Sequence, residues 1–106
     1  MQANYILPTI AAITGTISGT VTDQSGAVVP GVTVVALNQD TGVSQSVVSD
    51  SRGFYSFSAL PVGRYTVTAT QQGFETFKQT GIKVDADSSL RTDVQFKVGT
   101  VATTET

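Results

Sequence analysis

The chain has 106 residues, with six basic and eight acidic side chains, a formal net charge of −2, and neither cysteine nor histidine. That length makes one domain. The missing residue types exclude disulfides, thiolate and imidazole chemistry and the usual zinc sites. The few basic residues, among them Arg52, Lys78, Lys83 and Arg91, form no stripe that could neutralise nucleic-acid phosphates or anionic lipid.

The chain opens MQANYILPTIAAITG, and its first charged side chain is Asp23. Tyr5, Ile6, Leu7, Ile10 and Ile13 are large and apolar. The stretch falls short of the roughly 18–20 apolar residues that cross a bilayer. It has no basic leading region, and Pro8 interrupts it, so it does not read as an intact signal peptide. Its apolar residues occupy both parities: Tyr5, Leu7 and Ile13 on one, Ile6 and Ile10 on the other. That suits an extended strand buried on both faces. Burying five such side chains gains roughly 1.5–3 kcal/mol each, while ordering the backbone costs roughly 1–2 kcal/mol per residue. The sums are comparable, so the arm orders only where both faces and its backbone groups are satisfied. Residues 1–14 are therefore expected to be an apolar arm and a candidate donor strand for a neighbouring copy. The alternatives are an eighth strand of its own domain and a processing remnant.

From there the chain alternates with period two. In GTISGTVTD, Ile17, Gly19 and Val21 share a face. In GVTVVALN the same holds for Val32, Val34 and Ala36, in FYSFSAL for Tyr55 and Phe57, and in RYTVTATQ for Tyr65, Val67 and Ala69. Near the end Leu90, Thr92, Val94, Phe96 and Val98 face one way; Arg91, Asp93, Gln95 and Lys97 face the other. Turn-forming DQSG, QDTG, DSRG and QQGF separate the runs, and LPVG is a short connection. Seven strands are expected, near 16–23, 31–38, 43–49, 54–58, 64–71, 74–84 (broken at Gly81) and 90–98. That count and spacing predict an all-β, seven-stranded antiparallel sandwich over residues 15–99, with a polar tail at 100–106.

Candidate chemistry is sparse. DADSS, Asp85 to Ser89, faintly resembles a calcium loop, but a polar turn with Asx-type bonds explains it. Asp23, Asp40, Asp50 and Asp85 all sit in expected turns, which accounts for each without paired-carboxylate catalysis. Tyr55, Phe57 and Tyr65 are in phase with the core. Phe74 and Phe77, in GFETF, are the aromatics placed to make a surface contact. No catalytic, metal or cofactor residue is expected.

The runs GTISGTVTDQSGAVVPGVTVVALNQDTG and VVSDSRGFYSFSALPVGRYTVTATQQGF together resemble the carboxypeptidase regulatory-like domains, relatives of the collagen-adhesin B-type repeats, over Thr16 to Val98. The resemblance implies an immunoglobulin-like or prealbumin-like sandwich with no enzymatic activity of its own. Such domains occur at the N-terminus of TonB-dependent outer-membrane receptors and in surface proteins, and KVGTVATTET is similar to the segment that follows the domain in those receptors. Some adhesin relatives carry a Lys–Asn or Lys–Asp isopeptide, but the first strand here has no lysine. The expected function is a non-catalytic extracytoplasmic module, extracellular or at the cell surface, that associates with other copies of itself through the N-terminal strand into a filament or oligomer. The alternative is a receptor extension contacting periplasmic proteins. A carbohydrate-binding module using Phe74 and Phe77 is the third reading. Neither nucleic acid nor direct membrane insertion is expected.

Overall fold

The computed structural model describes residues 14–98. Eight strands follow in order: β1 (Thr14–Thr22), β2 (Thr33–Asn38), β3 (Ser44–Val48), β4 (Phe54–Pro61), β5 (Gly63–Thr70), β6 (Phe77–Val84), β7 (Ser89–Arg91) and β8 (Val94–Gln95). One sheet runs β4-β1-β7, with β8 also on β1; the other runs β3-β2-β5-β6. The two inner faces meet in a single core that includes Ile17, Val34, Phe57, Tyr65, Val84 and Phe96. Alternation puts these side chains there. In β1, for example, every second residue from Gly15 to Val21 is buried, as a strand with one core face requires.

The sandwich departs from the expected one in two respects. It is not antiparallel throughout, because β7 and β8 both run parallel to β1. The expected strand 90–98 is also split in two. Its side chains keep their alternation through Phe96, and the Thr92 N–H still bonds the Ser18 carbonyl at 2.8 Å, but the backbone leaves the ladder at the Thr92 carbonyl and Asp93. The Asp93 carboxylate accepts the Thr20 N–H at 3.0 Å, where a continuous strand would offer a carbonyl. The Thr92 carbonyl instead accepts the buried Tyr55 hydroxyl. Val98, expected on the core face, is exposed.

Two bulges explain further differences. Strand β4 runs to Pro61, beyond its expected end at residue 58, because an irregularity in its pairing with β1 resets the phase and turns Leu60 inward. Ala59 sits at this bulge with φ of 56°, a left-handed conformation costing a non-glycine roughly 1–2 kcal/mol. Ala59→Gly is therefore expected to stabilise the domain by about 0.5–1 kcal/mol after glycine's own entropy cost, read as a thermal midpoint roughly 3–6 °C higher. Strand β6 is continuous rather than broken at Gly81; Thr80 and Gly81 together oppose Thr66, forming a bulge with Gly81 at φ 73°.

The link from β4 to β5 crosses between sheets through Val62 alone. Tyr65 pins it by donating its hydroxyl to the Pro61 carbonyl at 2.7 Å. Asn38, itself buried, donates to the same hydroxyl at 3.2 Å and accepts the Asp40 N–H at 2.8 Å. The buried Tyr65 hydroxyl and Asn38 amide thus have partners, which offsets the penalty of burying them.

Candidate interaction surface

A sandwich exposes four sheet edges, and here they differ in how well they are guarded. Native edges are usually blunted by charge, proline or bulges. Strand β6 carries Lys78, Lys83 and the Gly81 bulge. Strand β4 carries the Ala59 bulge and ends in Pro61. On the far side, β7 and β8 are short, and the Arg91–Asp93 ion pair (3.1 Å) lies between them. Strand β3 has none of these devices. From Val43 to Ser49 the sequence is VSQSVVS, without charge, proline or glycine.

The backbone of β3 is half free. Asn38 N–H donates to the Val43 carbonyl at 2.8 Å, and Ser49 N–H donates to the Val32 carbonyl at 2.9 Å. Pairs alternate in an antiparallel ladder, so Gln45 and Val47 also turn their polar groups toward β2. Those of Ser44, Ser46 and Val48 point away from it. Among the described residues β3 pairs only with β2. Val47 packs against the core, whereas Val43 and Val48 are 61% and 62% exposed. Beside Val48 on the outer face lie Val35, Leu37 and Thr33, cross-strand from Ser46, Ser44 and Val48. The result is an uncharged strip with open hydrogen-bonding groups.

The remaining surface offers little chemistry. Asp23 accepts from Ser25 N–H and hydroxyl and from Ala27 N–H; Asp50 accepts from Arg52 and Phe54 N–H. These bonds hold both carboxyls below their ordinary value, for Asp23 chiefly the Ser25 hydroxyl and for Asp50 chiefly the Arg52 N–H. Asp93 is lowered mainly by the Thr20 N–H, with Arg91 adding to it. A general acid needs the opposite shift. Asp23 and Asp50 thus make local turn bonds, whereas Asp40 accepts the Arg64 N–H from β5 at 3.2 Å, and its turn is held by the Asn38 side chain, which accepts the Asp40 and Thr41 N–H groups. In the 85–89 turn the work falls to Ser88, whose hydroxyl accepts the Asp85 N–H and donates to the Asp85 carbonyl, rather than to a carboxylate.

The titrations have a defined sign. Carboxyls lowered in the fold stabilise it above the unfolded value of 3.8, and that contribution is lost as pH falls through their folded values. Tyr55 is pushed up to about 12, by burial first and the Asp93 charge second. Its contribution is complete below the ordinary value of 10.0 and disappears as pH rises from there to about 12. Urea midpoints measured against pH are expected to fall below about pH 4 and again above about pH 10. Tyr55→Phe should flatten the alkaline limb alone.

Of the residues picked out from sequence, Phe74 and Phe77 are half-buried and pack against the core. Phe74 stacks on Phe96, centroids 5.0 Å apart and planes at 16°, so one of its faces is already covered. Phe77 lines a small hollow of about 190 Å³ with Glu75, Thr76, Lys78, Gln95 and Lys97. A second hollow of about 360 Å³ lies by Val62 and Lys83, flanked by the Asp40–Arg64 ion pair at 3.4 Å. Tyr5, Ile6, Leu7, Ile10 and Ile13 lie outside the described residues. The open β3 edge was not singled out from sequence, although its run of seven uncharged residues was a readable signal.

Fold and surface together define an all-β sandwich domain whose least protected feature is a sheet edge. The family model described as the carboxypeptidase regulatory-like domain matches residues 16–97, and the chain belongs to that family. It is 32% identical over 85 residues to the TonB-dependent transporter Oar of Myxococcus xanthus. That match covers 79% of this chain and 8% of the transporter, so the chain spans only a small part of its curated relative's length. Among solved structures it resembles a chain of a cohesin–X-dockerin complex from Acetivibrio cellulolyticus, with TM-score 0.62, 26% identity, and coverage of 79% of this chain and 58% of that one. It also resembles catechol 1,2-dioxygenase of Acinetobacter radioresistens, with TM-score 0.64, 11% identity, and coverage of 83% and 53%. At that identity the likeness to the dioxygenase is one of fold alone.

Proposed function

We propose that this domain is a non-catalytic, extracytoplasmic protein-interaction module that associates by strand addition, with other copies of itself as partners. The observation that carries this reading is the unguarded β3 edge in a chain that also holds an uncharged apolar segment with Tyr5, Ile6, Leu7, Ile10 and Ile13. Edge pairing supplies main-chain hydrogen bonds, and alternate side chains supply selectivity. Head-to-tail donation whose rotation between copies does not close builds a filament or open oligomer at the cell surface. In the light-scattering test, the intact chain forms concentration-dependent oligomers and the double variant Ile6→Asp, Ile10→Asp is monomeric. An intact chain that stays monomeric throughout overturns self-association.

A second reading is favoured by the identity with Oar: an accessory domain of a TonB-dependent outer-membrane transporter, contacting periplasmic proteins. The two are separated by immunoblotting outer-membrane and extracellular fractions of the source cells with an antibody to this domain. A band far above 11.0 kDa in the outer membrane supports the transporter. A band near that mass in extracellular assemblies supports the self-associating module.

A further inference from the structure

We infer that β3 is the acceptor edge for the Tyr5–Thr9 segment of a second copy, in antiparallel register with Leu7 opposite Ser46. The inference rests on the self-association reading and names its site. Three constraints lead to it.

The first is the direction of the free groups. Only Ser44, Ser46 and Val48 turn their N–H and carbonyl groups off the edge, as the Asn38–Val43 and Val32–Ser49 bonds establish. An incoming strand must therefore place its own hydrogen-bonded residues opposite these three.

Proline sets the second constraint. Pro8 has no N–H to donate, so it must occupy a position whose backbone faces away from β3. In antiparallel orientation the residues that bond to β3 are then Tyr5, Leu7 and Thr9, and setting them against Val48, Ser46 and Ser44, rather than two residues either way, brings Ile6 beside Val47. Residues directly opposite in an antiparallel pair share a face. Tyr5 and Leu7 thus extend the outer strip of Val48, Val35 and Leu37. On the inner face Ile6 comes beside Val47, the β3 side chain packed against the core. A shift of one residue would aim Pro8 at the ladder and move Ile6 off Val47.

The third constraint concerns which copy donates. A segment folding back onto β3 of its own domain would have to reverse direction between Pro8 and β1. The residues there, TIAAIT from Thr9 to Thr14, include no glycine, proline, asparagine or aspartate. Tight reversals rely on those types, and the self-association reading accordingly assigns the donor to another molecule.

Because the chain has no native cysteine, the test is direct. Full-length Leu7→Cys and Ser46→Cys chains are mixed and mildly oxidised. A disulfide between the two different chains is expected to form in clear preference to one from the opposite face: a hydrogen-bonded pair holds its Cα atoms about 5.5 Å apart, inside the disulfide range, and a small local shift closes its somewhat wider Cβ separation. Ile6→Cys mixed with Ser46→Cys is expected to give none, its side chain lying on the other face. In parallel, Ser46→Pro is expected to abolish the oligomers seen for the intact chain. Its thermal midpoint should stay near that of the parent, because the Ser46 N–H takes no part in the β2 ladder; Ser46→Lys is the second variant, guarding the edge without touching the backbone. Oligomers that persist in both variants, or equal crosslinking from Ile6→Cys and Leu7→Cys, overturn the β3 register while leaving self-association standing. An intact chain that is monomeric removes both.

Discussion

Gly19→Ala is expected to lower the thermal midpoint by roughly 12–24 °C, about 3 kcal/mol of overpacking in a domain of this size. Gly19 lies in the middle of β1, the strand paired on both sides. Its backbone does not need glycine's conformational range. Its surroundings do: an added Cβ would overlap the Thr92 carbonyl oxygen and sit 2.7 Å from the carbonyl carbon and 3.0 Å from the Tyr55 hydroxyl. The obstructing atoms are mainly backbone, so no rotamer change relieves the clash. Movement of Thr92 would also break its bond from Tyr55 and disturb the neighbouring Asp93–Thr20 contact. Thermal denaturation followed by circular dichroism reads the effect. A midpoint within a few degrees of the parent would mean that the split between β7 and β8 yields easily.

Phe96→Ala is expected to cost about 3–5 kcal/mol, the range for removing a fully buried phenylalanine. The ring is 1% exposed and carries Phe74 stacked on it. Few ladder bonds share the work at this point, because β8 is only two residues long. The C-terminal segment is therefore held by side chains more than by its backbone, and the Phe96 N–H bond to the Thr22 carbonyl (2.8 Å) depends on that anchoring. Hydrogen exchange should accelerate most at Phe96 and its neighbours in β8. Phe74→Ala, which removes a half-buried ring, should cost clearly less. Equal losses for the two would place the anchor in the stack rather than in the buried ring.

Most of the strands were readable because alternation is a local property. Val34, Ala36, Tyr55, Phe57, Tyr65, Val67, Val94 and Phe96 all point where their parity says they should. Pairing direction is not local. Leu90 to Phe96 alternates identically whether it runs parallel or antiparallel to β1, so the parallel arrangement left no trace in sequence. The bulges were half visible. Gly81 announced an interruption, although β6 absorbs it without breaking. Ala59 announced nothing, being an ordinary residue in a left-handed conformation, and the end of β4 was read short. Asp93 looked like an outward-facing polar residue, and its role as a stand-in acceptor for Thr20 emerges only once β1 lies beside it. For the candidate surface, residue types showed an apolar segment and an uncharged run at 43–49. Neither shows which backbone groups are free, since that follows from the β2–β3 register.

The parallel run of β7 and β8 along β1 has a mechanical consequence. Chain leaving Thr14 and chain leaving Val98 depart from opposite ends of the same pair of strands. Tension applied between them slides β1 lengthwise past β7 and β8. The bonds from Thr16 to Ser88, Thr92 to Ser18, Phe96 to Thr22 and Thr20 to Asp93 then take the load together. In an antiparallel pairing the same pull would have opened them one at a time, like a zipper. Rupture under force is set by the unfolding barrier rather than by equilibrium stability. A domain wired in shear thus resists tension applied through the chain on either side of it far better than its modest equilibrium stability alone would suggest.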